Sequence, residues 1–160
     1  MNKARLQLEF VETENDTSLI GALQSLLADT IVFYFKGHGY HWNVEGEAFG
    51  PFHALFETIY SEVYGTVDTM AEHLRKLGSY APYTLGLFEK TRTLTDTWLN
   101  DSSPLPMVQD LYNDNEKLLA RIELCFKLAE AQHNQGLMNY LADRQDAHQK
   151  HGWFLRATLK

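Results

Sequence analysis

His41 to Gly78 reads H-W-N-V-E-G-E-A-F-G-P-F-H-A-L-F-E-T-I-Y-S-E-V-Y-G-T-V-D-T-M-A-E-H-L-R-K-L-G, and this stretch decides the fold. Apolar residues recur at Phe52, Leu55, Phe56, Ile59, Val63, Val67, Met70, Leu74 and Leu77. Steps of three and four are helical spacing. Gly50-Pro51 at the start and Gly78 at the end supply the expected asymmetry of helix termini, so one long helix is predicted between them. His41 and His53 flank the turn before it, and Glu57, Asp68 and Glu72 lie along it.

Asp68 and Glu72 are four apart and share one helix face, and so do His53 and Glu57. Each pair is half of a metal site. On one straight helix, however, His53 and Asp68 are separated by roughly 22 Å at a rise of about 1.5 Å per residue. Metal–ligand bonds are about 2.0–2.2 Å, so the two pairs cannot meet within one subunit. They can meet between subunits. The midpoint of positions 53 and 72 is also that of 57 and 68, and it falls between Glu62 and Val63. An antiparallel copy related by a two-fold axis there sets His53 opposite a second Glu72, and Glu57 opposite a second Asp68. Ser61 and Gly65, near that axis, are small enough for close helix approach. The expectation is a metal site across a two-fold interface. Imidazoles with carboxylates suit iron, and zinc or manganese fits the same donors.

The segment H-W-N-V-x-G…F…H-x-x-F-E…Y…V-D-T-x-A-E-x-L…L-G resembles the mini-ferritins, the DNA-protecting proteins from starved cells (Dps). The tail R-Q-D-A-H-Q-K-H-G-W-F-L-R-A, Arg144 to Ala157, is similar to that family's last helix. The resemblance implies an all-α, ferritin-like four-helix bundle assembled into a hollow dodecamer, with ferroxidase centres at two-fold interfaces. By motif position, His41 and His53 come from one subunit, with Glu57 nearby, and Asp68 and Glu72 from its partner. Trp42 matches the tryptophan beside that centre, where the family uses it to quench stray radicals. The implied activity is oxidation of Fe(II) by hydrogen peroxide or dioxygen, with ferric mineral stored in the cage as protection against oxidative stress.

Two features depart from the family pattern. Acidic residues often line an iron-entry pore at the start of the last helix, but His133 to Tyr140 reads H-N-Q-G-L-M-N-Y without a carboxylate. Asp143 and Asp146, further in, are the candidates to replace them. Some members also bind DNA through a lysine-rich N-terminal tail. Here the first sixteen residues carry only Lys3 and Arg5 against Glu9, Glu12, Glu14 and Asp16. With a net charge of −7, DNA binding is expected to be weak or absent, because general DNA affinity rests on neutralising phosphates.

The chain has 160 residues, 44% hydrophobic and 22% charged, which suits one domain with a real core. No run of about 18 apolar residues is present, and no apolar leader follows Met1. Cys125 is the only cysteine and reads as a small core residue. A cytoplasmic protein is expected. Residues 1–15 read as a short polar arm and 16–160 as a single ferritin-like domain.

Asp16-Thr17-Ser18 is the cap of a first helix whose stripe runs Leu19, Ile20, Leu23, Leu26, Leu27, Ile31, Tyr34, with Gly37 and Gly39 weakening its end. Residues 79–103 form the long crossover between the second and third helices, carrying a short helix at Leu85 to Lys90. Pro104 and Pro106 open the third helix, His133 to Gly136 break it, and the fourth runs from about Leu137 to Thr158.

Other readings were weighed on the residues. His38, a turn before His41, and His73 read as surface or supporting groups, and Trp42 alone reads as packing. His148 and His151, three apart, form at most a minor surface metal site. A conventional di-iron bundle takes two Glu-x-x-His motifs, and it is disfavoured on the reading that the helices carry none. Met70, Met107 and Met138 sit at core spacing, which disfavours haem ligation. The rival function is a structural or DNA-protecting cage whose metal site is vestigial or holds zinc.

Overall fold

A computed structural model describes residues 18–160. The expected arm at 1–15, and Asp16 and Thr17 of the expected cap, lie outside the described residues. Six helices follow in order, with no strand among the described residues: α1 (Leu19–Asn43), α2 (Phe49–Tyr64), α3 (Val67–Lys76), α4 (Leu85–Thr91), α5 (Pro104–Ala131) and α6 (Gln135–Thr158). Helices α2 and α3 act as one bent rod. With α1, α5 and α6 they form a four-helix bundle, and α4 sits in the crossover from α3 to α5.

Ser18 caps α1 by accepting a hydrogen bond from Gly21 N at 3.1 Å. The helix runs unbroken through Gly37 and Gly39 to Asn43, so the expected weakening does not occur. Tertiary packing overrides propensity here: α1 touches α2, α3, α4 and α5, and every residue from Gly21 to Thr30 is buried. It is long and apolar enough to cross a membrane by length and composition alone. Gln24, Ser25, Asp29 and Lys36 interrupt it, so it is not a run of about 18 apolar residues, and its apolar surface is the centre of the bundle.

The single long helix expected between Gly50 and Gly78 is bent instead, and begins at Phe49. Gly65 and Thr66 keep near-helical backbone, with φ −61° and −97°, but break the regular ladder. Thr66 Oγ1 turns back to donate to Val63 O at 2.7 Å. Tyr140, from α6, donates its hydroxyl to Thr66 O at 3.0 Å, as a second donor to a carbonyl that also accepts from Met70 N at 3.1 Å. A Cβ on Gly65 would lie 3.4 Å from the Glu62 carbonyl, so glycine eases the bend. Gly78, at φ +83°, closes α3, with Ser79 N donating to Leu74 O.

Three buried polar clusters tie the bundle together. Asp29, 1% exposed, accepts from Thr93 N at 2.5 Å, Thr93 Oγ1 at 2.6 Å and Leu94 N at 2.9 Å, pinning the crossover to α1. Lys36 reaches Asp110 and Asp114 on α5, each at 2.5 Å. Burial opposes its charge, but the two carboxylates win and raise its pKa. Tyr40 donates to Asp110 at 2.6 Å.

The third cluster corrects the surface reading of His148 and His151, which are 2% and 4% exposed. His148 Nδ1 pairs with Asn115 Oδ1 at 2.8 Å, and His151 Nε2 with Glu62 Oε2 at 2.8 Å. Arg144 donates both amino groups to Glu62. Burial raises the Glu62 pKa, but His151 and Arg144 outweigh it and hold the carboxyl well below its usual range. Burial and the Arg144 charge push His148 down to about 3, so it is neutral. His73 is half-buried against the Tyr140 ring, 4.9 Å between centroids, rather than facing solvent. Cys125 is fully buried, and burial pushes its thiol up to about 12, as a core residue requires.

Candidate metal centre

The end of α1 carries His41, and the second turn of α2 carries His53. The two helices run antiparallel across the 44–48 turn. They are close at Gly37, where a Cβ would make ordinary van der Waals contact with Tyr60 Cβ at 3.5 Å. As a result the two imidazoles stack, with centroids 3.6 Å apart and planes 20° from parallel.

Their hydrogen bonds are reciprocal. His41 Nδ1 donates to the His53 carbonyl at 2.9 Å, and His53 Nδ1 donates to the His41 carbonyl at 2.7 Å. A carbonyl only accepts, so both Nδ1 atoms carry the proton. In the neutral rings both Nε2 atoms are therefore lone-pair donors. Metal-binding histidines are oriented in this way, with the far ring nitrogen held by a carbonyl or carboxylate.

The carboxylates lie elsewhere. Glu57, Asp68 and Glu72 are exposed, as are Ser61 and Gly65 on the same rod. Among the described residues no group of three or more His, Cys, Asp or Glu side chains is placed to hold a metal ion. Within one chain, then, His41 and His53 come together while Asp68 and Glu72 do not join them, as the spacing argument requires. Asp143 and Asp146 are exposed on α6. Met70 and Met107 are buried core residues. Contrary to the reading that no Glu-x-x-His is present, Glu130 to His133 is one, but it falls on exposed residues at the end of α5 and so is no part of a bundle-core site. A groove of about 630 Å³ between the end of α1 and the 96–102 loop includes Trp42 in its wall but none of His41, His53, Asp68 or Glu72.

Sequence reasoning missed the rings around the histidine pair. Tyr60 meets His41 edge-on at 5.2 Å and stacks on His38 at 4.0 Å and 16°. Tyr34 shares a 3.2 Å hydrogen bond with His38 Nδ1 and packs on Tyr64 at 4.9 Å. Trp42 lies 4.2 Å from His38 and is 58% exposed, so it is not core packing. Burial and the neighbouring His41 hold the His38 ring below its ordinary range. The signal was present in the spacing: Tyr34, His38 and Trp42 step by four on α1, as do Tyr60 and Tyr64 on α2.

A bent four-helix bundle with a crossover helix is the ferritin-like architecture, and the chain matches the family described as a ferritin-like domain over residues 20–160. A DNA protection during starvation protein of Brevibacillus brevis is 28% identical over 138 residues, covering 86% of this chain and 92% of that one. The X-ray structure of Dps from Thermosynechococcus elongatus superposes with a TM-score of 0.85 at 25% identity, covering 89% of this chain and 90% of the other. The Dps protein of Vibrio cholerae O1, described as a member of a broad superfamily of ferritin-like diiron-carboxylate proteins, gives a TM-score of 0.84 at 29% identity, covering 89% of both chains. The chain belongs to the ferritin-like family and, within it, to the Dps proteins.

Proposed function

We propose that this protein oxidises Fe(II) with hydrogen peroxide or dioxygen and stores the ferric product inside a hollow cytoplasmic cage of twelve subunits. The observation that carries this reading is the reciprocal His41–His53 hydrogen bonding, which presents two Nε2 lone pairs side by side. Iron is the substrate. His41 and His53 bind it from one subunit, and Asp68 and Glu72 from the subunit across a two-fold axis complete the site. The carboxylates offset the cation charge and favour Fe(III), while the two imidazoles leave positions open for the oxidant. Glu57, one turn beyond His53, takes ferric product toward mineral. Zinc and manganese compete for the same donors. Asp143 and Asp146 line the path by which iron enters.

The name of the Brevibacillus brevis relative supports a protective role. The formal charge of −7 argues that protection here works by removing iron and oxidant rather than by coating DNA. The test is Fe(II) oxidation by a small excess of peroxide, followed by absorbance on protein sized in solution. Wild-type protein outruns buffer, and the Asp68→Asn/Glu72→Ala double variant falls to background at unchanged size. An unchanged rate in that variant rejects the site, and a structural cage then becomes the better reading.

A further inference from the structure

The rings beside the histidine pair form a connected series leading away from it. His41 touches Tyr60, Tyr60 stacks on His38, and His38 bonds the Tyr34 hydroxyl. Tyr34 also lies 6.3 Å from Tyr60 and 4.9 Å from the exposed Tyr64. Three of these rings are phenols, with Tyr34 in contact range of the other two, and Tyr34 has a nitrogen base on its hydroxyl. Losing an electron makes a phenol a strong acid, so it is oxidised readily only where its proton has somewhere to go. Tyr34 has such an acceptor in His38 Nδ1, and Tyr60 is given none among its hydrogen bonds.

We propose that Tyr60 and Tyr34 form an electron relay to the iron site, and that the oxidising equivalent comes to rest on Tyr34. The proposal rests on the ferroxidase reading above. Peroxide takes two electrons and two protons to give two waters. One Fe(II) becoming Fe(III) supplies one electron. Tyr60 supplies the other and is restored by Tyr34. Tyr34 ends as a neutral phenoxyl radical, with its proton on His38 Nδ1, and the two protons for water come from solvent. A site holding a single iron thus reduces peroxide completely and releases no hydroxyl radical. Trp42, the residue the family resemblance puts forward for this task, has ring contacts with Phe35 and His38 but none with His41 or Tyr60 among the described residues. It is off the path.

The test is a freeze-quenched electron paramagnetic resonance spectrum of the assembled protein, loaded with less than one Fe(II) per site and mixed with peroxide. Wild-type protein shows a radical signal that narrows when its tyrosines are ring-deuterated. Trp42→Phe keeps that signal. Tyr34→Phe, which removes only a hydroxyl and so spares the fold, loses it. A signal unaffected by deuterated tyrosine, lost in Trp42→Phe or retained in Tyr34→Phe overturns the relay. Iron oxidation recorded on the same samples separates the two readings: if wild-type protein oxidises no iron, the site itself fails and the relay falls with it. Oxidation without a tyrosyl signal sinks the relay alone.

Discussion

A site divided between two subunits makes a prediction that a site within one chain does not. Take two inactive variants: His53→Ala, which removes one imidazole, and Asp68→Asn/Glu72→Ala, which removes the carboxylates. Each alone is dead at every site. Mixed as unfolded chains and refolded together, they meet at interfaces in random pairs. At a mixed two-fold interface, one site receives both lesions. The other receives an intact histidine pair from the carboxylate variant and intact carboxylates from the histidine variant. Random pairing makes about half the interfaces mixed, with one good site of two in each, so about one quarter of wild-type activity returns. The structure makes this sharp. A straight helix would set His53 and Asp68 about 22 Å apart, and on the bent rod no metal-competent cluster lies among the described residues. The assay is initial Fe(II) oxidation by peroxide for each variant alone, for the two folded cages mixed without unfolding, and for the co-refolded mixture. Recovery only in the last supports the shared site. No recovery, with size-exclusion and mass data showing mixed cages, refutes it.

Other consequences follow from the buried groups. Asp29→Ala leaves two backbone N–H groups and a hydroxyl without their charged acceptor, so stability falls by about 3–5 kcal/mol and the melting temperature by about 10 °C, read by calorimetry. His148 is neutral in the fold, with a pKa pushed down to about 3. The unfolded chain takes up that proton first, so stability drops by about 1.4 kcal/mol per pH unit below about 6.5. Glu62 adds to the loss: its ion pairs stabilise above the unfolded carboxylate range and vanish as pH falls through its depressed folded value. Urea titrations from neutral pH to below the carboxylate range check both, and His148→Gln flattens the upper limb. Gly39 has nothing within 4 Å of an added Cβ, so Gly39→Ala raises stability by about 1 kcal/mol in the same titrations.

The bundle was legible because each helix carries its own stripe and its own punctuation: Ser18, Pro104 and Gly78 all act where the sequence puts them. The bend was not. Val63, Val67 and Met70 keep helical steps straight across Gly65–Thr66, because both residues remain near the helical region. The tertiary contact at the bend is a hydroxyl from Tyr140, seventy-four residues away, which no local pattern announces. His148 and His151 were misread for a related reason. Periodicity scores histidine as polar, whereas their burial depends on Asn115 and Glu62, supplied by two other helices. The histidine pair was visible as residue types, and its tautomers were not, since they follow from carbonyls that only the α1–α2 packing brings within reach.

The bent rod carries four carboxylates, and what separates them is the company they keep. Glu62 faces the bundle and is paired with Arg144 and His151. Glu57, Asp68 and Glu72 face outward with no salt bridge among the described residues, and α2 contains no Lys or Arg at all. Laying an antiparallel copy on that face, as proposed, brings the acidic groups of both chains together and takes water from them. Burying such charge unpaired is costly, and α2 of either chain offers no Lys or Arg to neutralise it, only the imidazole of His53. On the proposed geometry the missing partner is a cation, and metal binding and pairing of the subunits are one equilibrium. A divalent ion that binds only the paired form stabilises it by RT ln(1 + [L]/Kd), about 2.7 kcal/mol at a hundredfold excess over Kd. Chelator-treated protein should therefore dissociate at lower urea than protein given Fe(II) under nitrogen or Zn(II), and Asp68→Asn/Glu72→Ala should abolish the difference while making the metal-free pair more stable. If the variant's metal-free pair were instead less stable, the carboxylates would be making protein contacts rather than waiting for an ion.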